Sequence, residues 1–214
     1  MKIIQARIDE VVFHVPEGYP SIEAWIEKAG RTCYKSEDKI TEESAPQFVE
    51  MLRNRGHHAM LEHAMASVKI VADRGLSHEL VRHRIASFAQ ESTRYCNYSK
   101  GKFGGEITVV EQPGLDTVQF NLWKEAIEQA EKYYLLLLEQ GVKAQTARSV
   151  LPIGTKAEIV VSANLREFRH IFKMRCDKAA HPIIRDIFLQ ILEKFYKKIP
   201  ALYEDLYDQF IIEV

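Results

Sequence analysis

The sequence predicts an α+β domain dominated by helices, with a few strands. Two observations lead there: long stretches whose apolar residues recur at helical spacing, and short runs rich in β-branched residues bounded by turn formers. A third is negative, since no internal repeat or low-complexity tract interrupts the chain. At 214 residues, 46% of them hydrophobic, the chain has material for one globular domain or two small ones, and a single domain over residues 1–214 is the expectation.

Taken in order, residues 1–14 alternate loosely between apolar and charged and read as a strand. Ser21 to Gly30 reads as a helix capped by Ser21, and Thr41 to Arg55 as a second helix closed by Gly56. Residues 64–73, AMASVKIVAD, read as a strand, and GLSHELVRHR as the helix after it. Residues 101–115 hold four glycines and Pro113 and are the most loop-like stretch, with a short strand EITVV inside. From Asp116 to Gly141 the positions Leu122, Ala126, Ile127, Ala130, Tyr133, Tyr134, Leu137 and Leu138 follow helical spacing. TKAEIVVSA is another strand. Asn164, with Glu167 three later, caps a helix to about Cys176. Pro182 opens the final helix, striped by Ile183, Ile184, Ile187, Phe188, Ile191, Leu192 and Phe195.

Net charge is −1, so nothing global suggests coating nucleic acid or an anionic membrane, and any anion site must be local. The three cysteines, Cys33, Cys96 and Cys176, form no C-x-x-C pair, which favours reduced thiols in a cytoplasmic protein over a disulfide or zinc framework. The charged N-terminus does not read as a signal peptide, and the longest apolar run, Tyr133 to Leu138, is too short to span a membrane.

Three lures fail or weaken on inspection. HELVRH is not a zinc-protease motif, because His78 and His83 are five apart, about 500° around a helix. HHAMLEH offers His57, His58, Glu62 and His63, but no distant fourth ligand, so a metal is not expected. Cys96 lies beside Arg94, which would lower a thiol pKa, yet a cysteine is commonly just a small buried residue.

The densest chemistry is LVRHRIASFAQESTRYCNY, Leu80 to Tyr98. Neighbours on a helix point about 100° apart, so Arg82 and Arg84 either splay or stand where the helix breaks. SFAQESTR beyond them is small, polar and turn-prone, and could form a backbone nest for an anion. Ser92, Thr93 and Arg94 add hydroxyls and a bidentate fork suited to phosphate. A solvated helix end and an RNA-binding arginine cluster are the competing readings, the latter without the basic surplus that RNA readers carry.

The order of several blocks goes further. Arg82-His83-Arg84, then seven residues, then Ser92, with Arg94 and Tyr95, resembles the signature of the flavin-dependent thymidylate synthases. Upstream GHHAMLEH and downstream TARSVLP, SANLREFRHIF and MRCDKAAHPIIRD resemble that family's other blocks, in order, over roughly residues 30–195. The resemblance implies a helix-rich α+β fold with a small, mostly antiparallel sheet. It implies reductive methylation of dUMP to dTMP, with 5,10-methylenetetrahydrofolate as carbon donor and NADPH, by way of tightly bound FAD, as reductant. A non-catalytic nucleotide- or RNA-binding module is the alternative, and a metal-dependent hydrolase built on His57, His58 and His63 a weaker one.

By the resemblance, Arg175 is catalytic, set against the uracil where a guanidinium favours the ionised ring. FAD would be held by His57, Ala59, Arg82, His83, Arg84, Gln90, Asn164, Arg166 and His170. The nucleotide would be held by Glu79, Arg82, Gln90, Glu91, Ser92, Thr93, Arg94, Arg148 and Arg175, with Ser92 and Arg94 facing its phosphate. A homotetramer with sites where subunits meet is implied, without nucleic-acid or membrane partners. Asn164 reads equally as a helix cap, Glu62 and His63 as a hydrogen-bonded pair, and Arg169 and Arg185 as surface ion-pair residues. Ala89, Ala59 and Glu79 depart from the commoner Asn, Ser or Thr, and Gln, so side-chain contacts at 59 and 89 are lost or become backbone contacts. His170 replaces a commoner amide and keeps the power to donate and accept.

Overall fold

The computed structural model describes residues 1–213. The chain opens with two strands, β1 (Lys2–Ile4) and β2 (Arg7–His14), where the sequence suggests one. Helix α1 (Ile22–Thr32) begins at Ser21, whose hydroxyl accepts from the Ala24 amide at 3.1 Å. Helix α2 (Ser44–Asn54) starts three residues later than expected, because the Thr41 amide donates to Ser44 Oγ and closes a turn first. Gly56, at φ 69°, ends that segment in the left-handed region that glycine tolerates.

Strand β3 (Met65–Asp73) runs directly into α3 (Arg74–Leu80), with Asp73 as the cap. The helix stops at Leu80, so the Arg82-His83-Arg84 triplet does lie past a helix end. The stretch read as a loop is instead partly a strand, β4 (Ala86–Gln90). Its residues alternate between half-buried and exposed, and pairing with a neighbouring strand outweighs the weak strand preference of Ala and Ser. Strand β5 (Thr108–Val110) pairs in parallel with β1, Lys2 opposite Thr108.

Helix α4 (Thr117–Glu139) carries a full capping box between Asp116 and Gln119. The short α5 (Ala144–Ala147) leads through a tight turn to β6 (Lys156–Asn164), whose inward residues Ala157, Ile159, Val161 and Ala163 alternate strictly with outward ones. Asn164 caps α6 (Leu165–Arg175) by accepting from the Glu167 amide at 2.8 Å. The helix from Pro182 is not the last. After α7 (Pro182–Lys198), Pro200 cannot donate to the preceding turn, so the chain restarts as α8 (Pro200–Tyr207) and closes on a π-helical turn, Asp208–Ile212.

Four strands form a mostly antiparallel sheet in the order β2-β3-β6-β4, beside the parallel β1-β5 pair. The α+β, helix-rich expectation holds. By contacts the chain divides into two compact units. The first comprises Met1–Arg7, Ile70–Arg82 and Ala89–Ile159. Its core gathers Tyr98, Ile107, Val109, Ile127, Tyr134 and Ala147. Of the α4 positions at helical spacing, Ile127 and Tyr134 are buried, whereas Leu122 and Tyr133 face outward.

The second unit comprises Ile8–Lys69, His83–Phe88 and the described residues from Val160 onward. Its centre is aromatic: the Phe195 ring lies 4.7 Å from those of Phe13 and Phe168, and Phe172 meets Tyr203 edge-on at 5.6 Å. Arg169 belongs to this interior and not to the surface. It is buried, donates to Asp205 at 2.9 Å and to the Leu202 carbonyl, and so ties α6 to α8. Glu62 pairs with Arg166 at 2.6 Å and not with His63, whose carbonyl accepts from Trp25.

Candidate functional site

Of the residues expected at the site, Glu79, Arg82, Gln90, Glu91, Ser92, Thr93, Arg94 and Arg148 fall in the first unit. His57, Ala59, His83, Arg84, Asn164, Arg166, His170 and Arg175 fall in the second.

In the second unit, α6 carries Glu167, His170 and Arg175, and the chain after α3 brings His83 to meet them. The Arg175 Nε–H donates to His83 Nε2 at 3.0 Å. On the ring's other side, Nδ1 lies 3.5 Å from Glu167 Oε1, and the His170 ring stands edge-on with centroids 5.6 Å apart. His83 is only 6% exposed. Burial, then the charge of Arg175, then His170 push its pKa down to about 4. The imidazole is therefore neutral at pH 7, accepts at Nε2 and carries its proton on Nδ1, toward the carboxylate. Burial also raises the Glu167 pKa, against the opposing pull of His170.

His83, Glu167 and His170 offer three ligand atoms within 4.8 Å of one another, a different set from the histidines the sequence suggests for a metal. Arg175 speaks against that use. It occupies one nitrogen of the central imidazole and puts a fixed positive charge beside the place a cation would take. Around this cluster Arg84 and His170 are exposed. Asn164 spends its carbonyl on the cap, which leaves its amide donors out of that bond. Arg166 is exposed and already paired with Glu62, and Ala59 sits exposed in a 3-10 turn, His58–His63.

In the first unit, the segment from Gln90 onward is held on several sides. Gln90 donates from Nε2 to Ser77 Oγ at 2.8 Å. Thr93 is buried and its hydroxyl accepts from Arg148 Nη1 at 3.1 Å, so two expected nucleotide residues do meet. The Ser92 carbonyl accepts from the amides of Tyr95 and Cys96, which makes the turn. Arg94 is exposed and its guanidinium rests over the Tyr95 ring at 5.3 Å. Glu79 is the second-last residue of α3, and its carbonyl accepts from the Arg82 amide.

Glu91 does not present its carboxylate as a ligand contact would. Oε1 accepts from the Tyr98 hydroxyl at 3.0 Å, and Oε2 accepts from Lys156 Nζ at 2.8 Å and from the Glu158 amide at 3.3 Å. Burial works against the Lys156 charge, but its hydrogen bonds to Glu91 and Glu158 outweigh it and raise its pKa. Sequence reasoning missed Tyr98, Lys156 and Glu167. Glu167 shows there only as the third residue of a cap, and no local pattern links Lys156 to Glu91, 65 residues away. Cys176 is buried, with its thiol pushed up to about 12 by burial, and is no nucleophile.

The sequence profile of the thymidylate synthase complementing protein family matches residues 15–201. The chain belongs to this family, the flavin-dependent thymidylate synthases. A synthase of that name from Geobacter sulfurreducens is 31% identical over 197 residues, covering 87% of this chain and 82% of its own. One from Pyrococcus abyssi is 33% identical over 165 residues, 77% of this chain and 68% of its own. One from Corynebacterium aurimucosum is 33% identical over 212 residues, 92% and 85% respectively. A flavin cofactor goes with this family, and the reading of the arginine cluster as an RNA-binding module finds no support. Among the described residues no helix is long and apolar enough to cross a membrane.

Proposed function

We propose that this chain, working as a single domain, methylates dUMP at C5 to give dTMP. The carbon comes from 5,10-methylenetetrahydrofolate and the electrons from NADPH through tightly bound FAD. The observation that carries the proposal is the family match over residues 15–201, with every expected site block standing inside it. The flavin's part is to relay those electrons and supply the hydride to the pyrimidine.

The chain's own residues do the rest. Ser92 and Arg94 bind the nucleotide phosphate, with Arg148, fixed by Thr93, as a second cation. Arg175 is the catalytic residue. Held by neutral His83, its guanidinium stabilises negative charge on the uracil as the ring is activated. Arg82, Arg84, Asn164, Arg166, His170, Gln90, His57 and the backbone at Ala59 hold FAD. In this reading Arg166 exchanges Glu62 for the cofactor. Glu79 and Arg82 lie near the base.

The protein assembles as a cytoplasmic homotetramer with shared sites, without nucleic-acid or membrane partners. An exposed apolar stripe on α4 supports assembly, with Val118 68% and Leu122 63% exposed.

The purified protein should be yellow, bleach with NADPH and form dTMP from dUMP and the folate. Arg175→Ala should lower dTMP formation by roughly 100-fold or more while FAD stays bound. A colourless protein that takes up no FAD defeats the assignment, and loss of flavin in Arg175→Ala defeats the role given to that arginine.

A further inference from the structure

Glu91 adjoins the proposed phosphate-binding residues Ser92 and Arg94, where a carboxylate is the wrong charge for a phosphate. The fold resolves the conflict by turning it inward. Its side chain is 11% exposed, and both oxygens are engaged by Tyr98, Lys156 and the Glu158 amide. The Glu91 amide also donates to the Glu158 carbonyl at 2.8 Å, so strand-like pairing continues one residue past β4 and the turn starts at Ser92. Two residues on, Thr93 is turned inward as well and holds Arg148. Ser92 and Arg94 are left as the residues between and beyond these two fixed points.

We propose that Glu91, Lys156 and Tyr98 form an anchor that positions the nucleotide loop and that none of the three touches the nucleotide. The proposal rests on the synthase reading for the identity of the ligand. Lys156 neutralises Glu91 and fixes one oxygen, Tyr98 fixes the other, and together they set the height and direction of the turn from Ser92 to Arg94. Such an anchor acts on binding, because it presents the phosphate contacts in a ready geometry. Tyr98 also packs against Phe103 and Tyr134 in the core of its unit, so the anchor is seated on rigid structure.

The test is a double-mutant cycle on the FAD-loaded protein with Lys156→Met and Arg94→Ala, reading dUMP affinity by calorimetry and KM and kcat by dTMP formation. Lys156→Met should weaken dUMP about tenfold, leave kcat within about threefold and leave FAD content unchanged. In the Arg94→Ala background it should weaken dUMP by no more than about twofold, because the contact the anchor positions is already gone. Lys156→Arg should restore affinity. Glu91→Gln, which keeps an acceptor for Tyr98 but gives up the ion pair, should reproduce the loss in milder form and serves if Lys156→Met does not fold. Unchanged dUMP affinity in either variant, or additive effects in the cycle, overturns the anchor. Failure of the unaltered protein to bind dUMP at all overturns the synthase reading instead.

Discussion

Arg175 and His83, 92 residues apart in sequence, are joined by a 3.0 Å hydrogen bond in which the guanidinium donates and the imidazole accepts. The direction of that bond matters. A protonated imidazole has no lone pair to offer, so the contact exists only while His83 is neutral, and the positive charge of Arg175 helps keep it neutral. Each residue sustains the state the other requires.

This relationship sets where His83 titrates. In the intact protein its imidazole should show a pKa of about 4 by NMR. In Arg175→Ala the value should rise, because the second-largest cause of the depression is gone. It should stay below the ordinary 6.5, because burial, the largest cause, persists. A value unmoved by the substitution would mean that the guanidinium charge is not felt at the ring.

The same group shapes stability against pH. Its folded pKa lies below its unfolded value, so the unfolded chain binds the extra proton first. The stability contributed by neutral His83 is fully present above about pH 6.5 and is lost as pH falls toward about 4. Glu167, whose folded pKa is raised, works in the opposite sense over the acid side of that window. Urea unfolding at pH 7.5 and at pH 5 should show a smaller loss for His83→Gln than for the unaltered protein. Equal losses would place the titration elsewhere.

Arg94 should be separable from Arg175 by its kinetics. It is exposed and held over Tyr95 by a cation–π contact of about 0.5–1 kcal/mol, which a phosphate can outbid. A charge-assisted hydrogen bond contributes about 1.5–3 kcal/mol, so Arg94→Ala should raise the KM for dUMP roughly 10- to 100-fold and leave kcat nearly unchanged. Arg94→Lys should recover only part of this, since an ammonium lacks the bidentate fork. An unchanged KM would remove Arg94 from the phosphate.

How much of this was legible in the sequence depends on whether the signal is local. Ser21, Asp116 and Asn164 announce their helices because a cap bonds to a residue three positions away. Strand β6 is visible because its alternation lies within nine residues. Strand β4 is not, because Ala, Ser and Gln become a strand only through a neighbour supplied by the fold. At the site the sequence singles out His83 and Arg175 by block resemblance, but not that they bond to each other. Glu91 shows the same limit from the other side: block resemblance makes it a nucleotide contact, while its partner Lys156 lies 65 residues away and Tyr98, seven residues on, carries no local sign of the bond. The sequence suggests a surface cation at Arg169 because nothing local reveals that Asp205 and the Leu202 carbonyl, both on α8, accept from it.

Helix α4 carries the prediction for assembly. At 100° per residue, Val118, Leu122, Tyr133 and Leu136 fall within about 60° of one another around the helix, and Ile127 and Tyr134 lie about 100–180° away from them. The second pair is buried in the core of its unit and the first four are exposed. A helix with one apolar face spent on its own core and a second set of apolar residues facing outward suits the proposed assembly. Leu122→Glu places a charge among those residues, on an exposed position where it does not disturb the core. Light scattering should show the proposed tetramer shifted to smaller species, with far-UV circular dichroism unchanged. Because the proposed sites are shared between neighbouring subunits, dTMP formation should fall in step with the loss of tetramer. A Leu122→Glu protein that stays tetrameric would move the interface away from α4, and one that dissociates yet remains fully active would show that each subunit holds a complete site.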